Sequence, residues 1–302
     1  MAKDGAAVKG MDSKGEVAES KIQALIQLLG DDDVKIRKVA RQQLQLIGKD
    51  AVRFLEDVAT SDSDGRIRIE ARGLLHKISR DDLLQTFHLL AIWNDQQIDL
   101  EQGAYLLAKF AYPSLEKREI SDELDRLADR ARGLLVGLKT PRRRIQLLNN
   151  VIFTEGRFEG NRDNYYAPDN SFINKVLQNK KGIPISLSII YILVAQRLGL
   201  PIYGVNMPAH FLCKFEGDDE HFYIDAFDFG RVMNESECIM LLKNYGVDFN
   251  FHYLKKASNR DILSRMLRNL ILVYYQNEDD DKADFLKKLL KILKHYSKKA
   301  EY

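Results

Sequence analysis

The chain has 302 residues, 45% of them apolar, enough for one large core or two modest ones. Its 46 basic and 44 acidic side chains nearly cancel, leaving +2. That balance argues against a nucleic-acid partner held by neutralising phosphates. Two cysteines, Cys213 and Cys238, are too few for a disulfide framework and fit a reducing compartment. The first residues lack the apolar stretch of a signal peptide. The longest apolar run, around 183–195, is interrupted by serines and too short to span a bilayer. A cytoplasmic chain without a membrane partner is the expectation. The six histidines are scattered and no metal-ligand spacing is visible, so no cofactor or metal is expected.

Residues 1–19 are small and polar with no apolar face, and are expected to form a disordered tail. From Lys21 the pattern becomes helical. Ile22, Leu25, Ile26 and Leu29 form a stripe, and Val34, Ile36, Val39, Ala40, Leu44 and Ile47 a second. The arrangement then recurs. Ile36-Arg37 and Ala40 match Ile67-Arg68 and Ala71, while Leu44 and Ile47 match Leu75 and Ile78, at a period of about 31 residues. Paired helices at this period resemble HEAT-type repeats, although two plain helical hairpins would read much the same. Residues 20–80 are therefore taken as a helical repeat domain that caps the next one.

Residues 81–250 are expected to form the main core. Helices are predicted around 83–92, 99–112, 120–138 and 142–155, punctuated by Pro113 and Pro141. Between Gly156 and Asn170 the periodicity dissolves into turn chemistry. Asn170-Ser171 can cap a short helix through Leu177, and Pro184 suits the first turn of the next, where its missing N–H costs nothing. After Pro201 the period changes to two: strands are predicted over 202–206, 210–215 and 221–226, the last two joined by the charged hairpin 216–220. A short helix follows at 235–244. Residues 251–302 read as a separate antiparallel helix pair resembling one tetratricopeptide-like unit.

One set of segments is specific when taken together: 160–166 (GNRDNYY), 170–177 (NSFINKVL), 181–188 (KGIPISLS), 197–201 (RLGLP), 208–211 (PAHF) and 224–227 (IDAF). In this order and spacing they resemble the SirB1 family, a branch of the transglutaminase-like superfamily. The resemblance implies an α+β fold, predominantly helical, in which a HEAT-like helical cap precedes a transglutaminase-like, papain-type core with a small antiparallel sheet. It also implies a degenerate Cys-His-Asp site. The superfamily's Gly-x-Cys aligns on Gly182-Ile183-Pro184, His210 matches the catalytic histidine, and Asp225 matches the aspartate that orients it. Pro184 stands where the cysteine belongs.

A cysteine site needs a thiolate at a helix N-terminus and an imidazole in reach, oriented by a third group. Proline has no nucleophilic atom, so acyl transfer through residue 184 is impossible. Ser186, in the first turn of the same helix, is the remaining candidate nucleophile; serines in first turns also cap or pack. Cys213, an odd number of positions beyond His210, is expected on the opposite strand face. His210 and Asp225 could equally be a hydrogen-bonded core pair. A metal site combining them with His221 is a weaker alternative. The polar, aromatic loop before the site helix supplies candidate ligand-binding residues: Asn161, Arg162, Asp163, Tyr165, Tyr166 and Asn170. Local pairing of Arg162 with Asp163 and packing of the tyrosines would account for them as well. Two functions are compatible with these residues. One is a non-catalytic protein- or peptide-binding scaffold; the other is a hydrolase or acyl-transfer enzyme using His210 and Asp225 as general base, with water or Ser186 attacking.

Overall fold

The computed structural model describes residues 9–95 and 97–297. They divide into two compact units, one ending at Thr86 and the other beginning at Phe87. The division falls a little beyond the expected boundary at 80/81, because Gly65–Ala91 is one continuous helix with no breaker at residue 81.

The first unit is helical throughout: α1 (Lys9–Gln27), a 3-10 turn (Leu28–Gly30), α2 (Val34–Ile47), α3 (Lys49–Ser61) and the larger part of α4 (Gly65–Ala91). The expected disordered tail is corrected for residues 9–19, which are helical; residues 1–8 lie outside the described residues. Glu, Ala and Lys are good helix formers, and no glycine or proline after Gly15 interrupts their continuation into the stripe of Ile22 and Ile26. Ile22, Ile26, Leu29, Leu44, Leu55 and Ile67 close a common core. The internal repeat is visible in its turns. Asp33 Oδ1 accepts the Lys35 N–H at 2.7 Å, and Asp64 Oδ1 accepts the Arg66 N–H at 2.7 Å. Arg37 Nη1 donates to the Asp31 carbonyl at 2.6 Å, and Arg68 Nη1 to the Asp62 carbonyl at 2.6 Å. Each arginine thus reaches back to fasten the Asp-rich turn before its own helix.

The second unit holds α5 (Leu100–Ala111), α6 (Lys117–Leu135), α7 (Pro141–Asn149), α8 (Ile173–Asn179), α9 (Pro184–Arg197), α10 (Glu235–Asn244), α11 (Asn259–Gln276) and α12 (Asp280–Ser297). Its strands are β1 (Glu159–Gly160), β2 (Lys181–Gly182), β3 (Ile202–Val205), β4 (Leu212–Glu216), β5 (His221–Asp225) and β6 (Arg231–Met233). The helix expected over 142–155 is corrected: α7 ends at Asn149 and Asn150–Glu155 continues it as a π-helical turn. The structureless loop expected after Gly156 contains β1, which pairs in parallel with β2.

Helix α9 is the central element. Every residue from Pro184 to Ala195 is buried, so its sequence reads as a nearly continuous apolar run rather than a stripe. Against it lies a four-stranded antiparallel meander in the order β3-β4-β5-β6. The pleat assigns the two sheet faces. Leu212, Tyr223 and Met233 turn toward Cys238 and Leu242 of α10, while Cys213 turns toward α9, its thiol 3.7 Å from the Ser188 carbonyl.

The C-terminal pair α11–α12 is not a separate domain but part of the second unit. Gly103 of α5 leaves room for Leu263, whose methyl groups a Cβ there would strike. Arg260, only 3% exposed, ties α11 down: it pairs with Asp95 and donates to the carbonyls of Leu293 (2.8 Å), Ala91 (3.1 Å) and Trp93 (2.7 Å).

Candidate functional site

The site is built where the meander meets the start of α9. His210 lies in the β3–β4 connection, just before β4 rather than on the strand the sequence suggested. The preceding Ala209 is left-handed (φ 61°), a turn that strands do not accommodate. His210 and Asp225, at the end of β5, are brought together: Nε2 and Oδ2 are 2.9 Å apart. Both are buried, 4% and 6% exposed. The other carboxylate oxygen accepts the N–H groups of Phe227 (3.0 Å) and Asp228 (3.3 Å). A carboxylate can only accept, so Nε2 is the ring nitrogen that donates to Asp225, and Nδ1 faces away from the pair. Nδ1 makes no hydrogen bond to a described residue. Chemically, this is an imidazole held in one orientation by a carboxylate.

The start of α9 packs beside this site with its polar groups engaged elsewhere. Pro184 is the first residue of α9, and Ile183 immediately precedes it. Ser186, 2% exposed, is fully engaged: its hydroxyl donates to the Asn170 carbonyl at 2.6 Å and accepts the Ile183 N–H at 3.0 Å. This is half of a capping box, and it leaves the proton of Ser186 directed at a carbonyl rather than at His210. Replacing Ser186 by Ala is expected to destabilise the protein by about 1–2 kcal/mol, since a helix cap and a buried acceptor's partner are lost together. A urea titration measures this; an unchanged midpoint would refute the capping role.

The cysteines offer no substitute. Burial pushes the Cys213 thiol up to about 12, and burial followed by the charge of Glu237 does the same for Cys238. Neither yields appreciable thiolate at neutral pH. His221 begins β5 with its ring against Tyr223, at the opposite end of the strand from Asp225. It does not join the pair.

The loop before α9 is organised by Asn170, whose Nδ2 donates to the carbonyls of Asn164 (2.6 Å) and Tyr165 (3.1 Å) and whose Oδ1 accepts from Asn161 (2.9 Å). Ser171 does not cap α8; its buried hydroxyl has no hydrogen-bond partner. Arg162 pairs with Asp228 at 3.6 Å, not with Asp163, and lies 4.7 Å over the Phe227 ring. Asp163 is exposed. Tyr165 packs edge-on against Phe227, and burial holds its phenol above the ordinary range. Tyr166 is exposed beside it. The loop therefore reaches His210 through one intervening ring, because Phe227 also packs edge-on against the imidazole (6.2 Å).

Sequence reasoning missed three neighbours. Tyr245, just past α10, stacks on the imidazole with ring centres 6.1 Å apart. Phe227 is the bridge just described. Arg265 of α11 donates to Asn206 Oδ1 (3.3 Å) and the Met207 carbonyl (3.4 Å), steadying the connection that carries His210. Burial, with Arg268 nearby, holds its guanidinium below the ordinary range, and no described carboxylate pairs with it. No local motif marks Tyr245 or Arg265; only the tertiary fold brings them in.

Pro184, His210 and Asp225 all fall inside the segment that matches a known family. The pattern described as the transglutaminase-like superfamily matches residues 118–268. The chain belongs to the transglutaminase-like superfamily. It is similar to a UPF0162 protein of Xylella fastidiosa (strain 9a5c), 32% identical over 207 residues, 67% of this chain and 74% of that one. A UPF0162 protein of Vibrio cholerae is 28% identical over 173 residues, 56% of this chain and 64% of that one. F-box only protein 21 of Homo sapiens is 33% identical over 141 residues, 42% of this chain but 21% of that protein. No solved structure matches. In this member of the transglutaminase-like superfamily, Pro184 occupies the first position of the site helix. Among the described residues no helix is long and apolar enough to cross a membrane.

Proposed function

We propose that this protein is a non-catalytic member of the superfamily, of the SirB1 branch, which binds a protein or peptide. The observation that carries the reading is Pro184 at the head of α9, with the first-turn hydroxyl of Ser186 committed to the Asn170 carbonyl. Two further facts support it. His210 is packed between the rings of Tyr245 and Phe227, and the loop that meets Phe227 exposes Arg162, Asp163 and Tyr166. The helical repeats resembling HEAT units and the tetratricopeptide-like pair α11–α12 add surface of the kind that usually binds partners. The likeness to F-box only protein 21 concerns this segment alone, and it fits a module used within larger proteins. Neither a nucleic acid nor a membrane is part of the reading, and a cytoplasmic location suits it.

The 2.9 Å His210–Asp225 bond favours a second reading, an amide or ester hydrolase or acyltransferase in which water attacks with His210 as base. One experiment separates the two. The protein is incubated with amide, ester and amine-donor substrates beside His210→Ala and His210→Gln, the latter retaining a donor toward Asp225. No turnover above the variants is expected. Turnover abolished in both variants, with folding intact by circular dichroism, would replace the binding reading with the enzymatic one.

A further inference from the structure

On the outer side of the turn that follows Asp225 lies a groove of about 770 Å³, lined among others by Leu138, Arg143, Gln146, Phe153, Thr154 and Phe229. Three features converge in it. The first is Phe229, which is left-handed (φ 51°) and 57% exposed. A bulky residue in that region is strained by roughly 1–2 kcal/mol, and here the ring gains no burial in return. The turn that holds it is over-determined. The N–H groups of Asp228 (3.2 Å) and Gly230 (2.9 Å) bond the Asp225 carbonyl, and Asn149 Nδ2 donates to the Gly230 carbonyl at 2.7 Å.

The second feature is the π-helical turn Asn150–Glu155, which supplies Phe153 and Thr154 to the wall. Such turns are rare and recur at functional sites. The third is charge. The three consecutive arginines 142–144 do not act as one patch. Arg142 pairs with Glu220 at 3.2 Å and covers Phe222, and Arg144 Nε donates to the Leu138 carbonyl at 2.8 Å. Arg143 alone lines the groove, without a carboxylate partner among the described residues, and no acidic side chain shares that lining. Leu134 and Val136, close to Leu138 in sequence, are also exposed.

We propose that this groove docks a segment of a partner protein that carries a carboxylate beside an apolar side chain. The carboxylate meets Arg143, and the apolar side chain packs between Phe229 and Phe153. A single unpaired guanidinium matches one carboxylate; a nucleic-acid backbone would require a row of cations, and two of the three arginines are already occupied. The site is distinct from the surroundings of His210 and does not depend on whether those bind or catalyse.

The test is selection of random twelve-residue peptides displayed on phage against the full chain. Enrichment of peptides with Asp or Glu within two positions of an aromatic or aliphatic residue is expected. A selected synthetic peptide should lose about tenfold or more in affinity to Arg143→Glu and to Phe229→Ala, the scale of one charge-assisted bond or one buried ring. It should bind Lys287→Ala, altered on the exposed face of α12 and outside the groove lining, as well as the parent. Thermal melts of all three variants confirm folding. No enrichment, enrichment of basic peptides, or selected peptides indifferent to both groove variants would overturn the proposal. So would Arg143-dependent binding of a labelled single-stranded oligonucleotide, or a dimer in sedimentation that Phe229→Ala dissolves.

Discussion

Asp225→Ala is expected to destabilise the protein by about 3 kcal/mol or more, the cost of removing one partner from a buried, charge-assisted network. The carboxylate serves three donors at once: the His210 ring and the N–H groups of Phe227 and Asp228. Its loss strands all of them in a packed environment and releases the turn that ends at Gly230. Asp225→Asn should be milder, since an amide oxygen can still accept from the two backbone groups. Chemical denaturation of both variants measures the difference. A loss below about 1 kcal/mol for Asp225→Ala, the level of an exposed pair, would show that the pair does not hold the fold. A large loss supplies a structural reason for a histidine–aspartate pair to persist beside a proline that cannot react.

Arg260→Ala should cost about 3–5 kcal/mol, the range for breaking a buried ionic cluster. One guanidinium there joins Asp95, the carbonyls of Ala91 and Trp93, and the carbonyl of Leu293 near the end of α12. The planar fork reaches these acceptors in different directions; an ammonium on a flexible stem cannot. Arg260→Lys is therefore expected to recover little of the loss. Urea unfolding of the pair of variants, with hydrogen exchange across α11 and α12, reads both effects. A lysine variant as stable as the parent would remove the argument from geometry.

Much of this architecture is legible in the residues. The burial of α9 follows from its largely apolar run, interrupted only by serines, and α10 falls where a short helix is expected, its start closed by a capping box of Asn234 and Glu237. The approach of His210 to Asp225 comes from the resemblance rather than from periodicity. The misses have physical causes. The strand expected to carry His210 starts later because Ala209 turns left-handed, which no alternation of apolar and polar residues announces. The π-helical turn keeps a helical composition while changing its hydrogen bonds, so 142–155 reads as one regular helix. Strand β6 is three residues long, too short to show a period. Ser186 reads as a nucleophile or as a cap from sequence; only the Asn170 carbonyl, brought in by the loop, assigns its proton.

The turn Asn150–Glu155 also bears on how this lineage can change length. Each residue removed from a helix rotates its upstream part by about 100° relative to its downstream part. A π turn already contains one residue more than the regular coil around it, so deleting one would restore ordinary helix geometry at no local cost. The damage would appear elsewhere. Asn149 accepts from the Tyr191 hydroxyl at 2.8 Å and donates to Gly230 at 2.7 Å, and it would swing away from both. Gly230 is packed so closely on Asn149 that even a methyl group there would collide. Homologous chains that keep an asparagine and a glycine at these places should therefore also keep the surplus residue, and chains that have lost it should have lost both together.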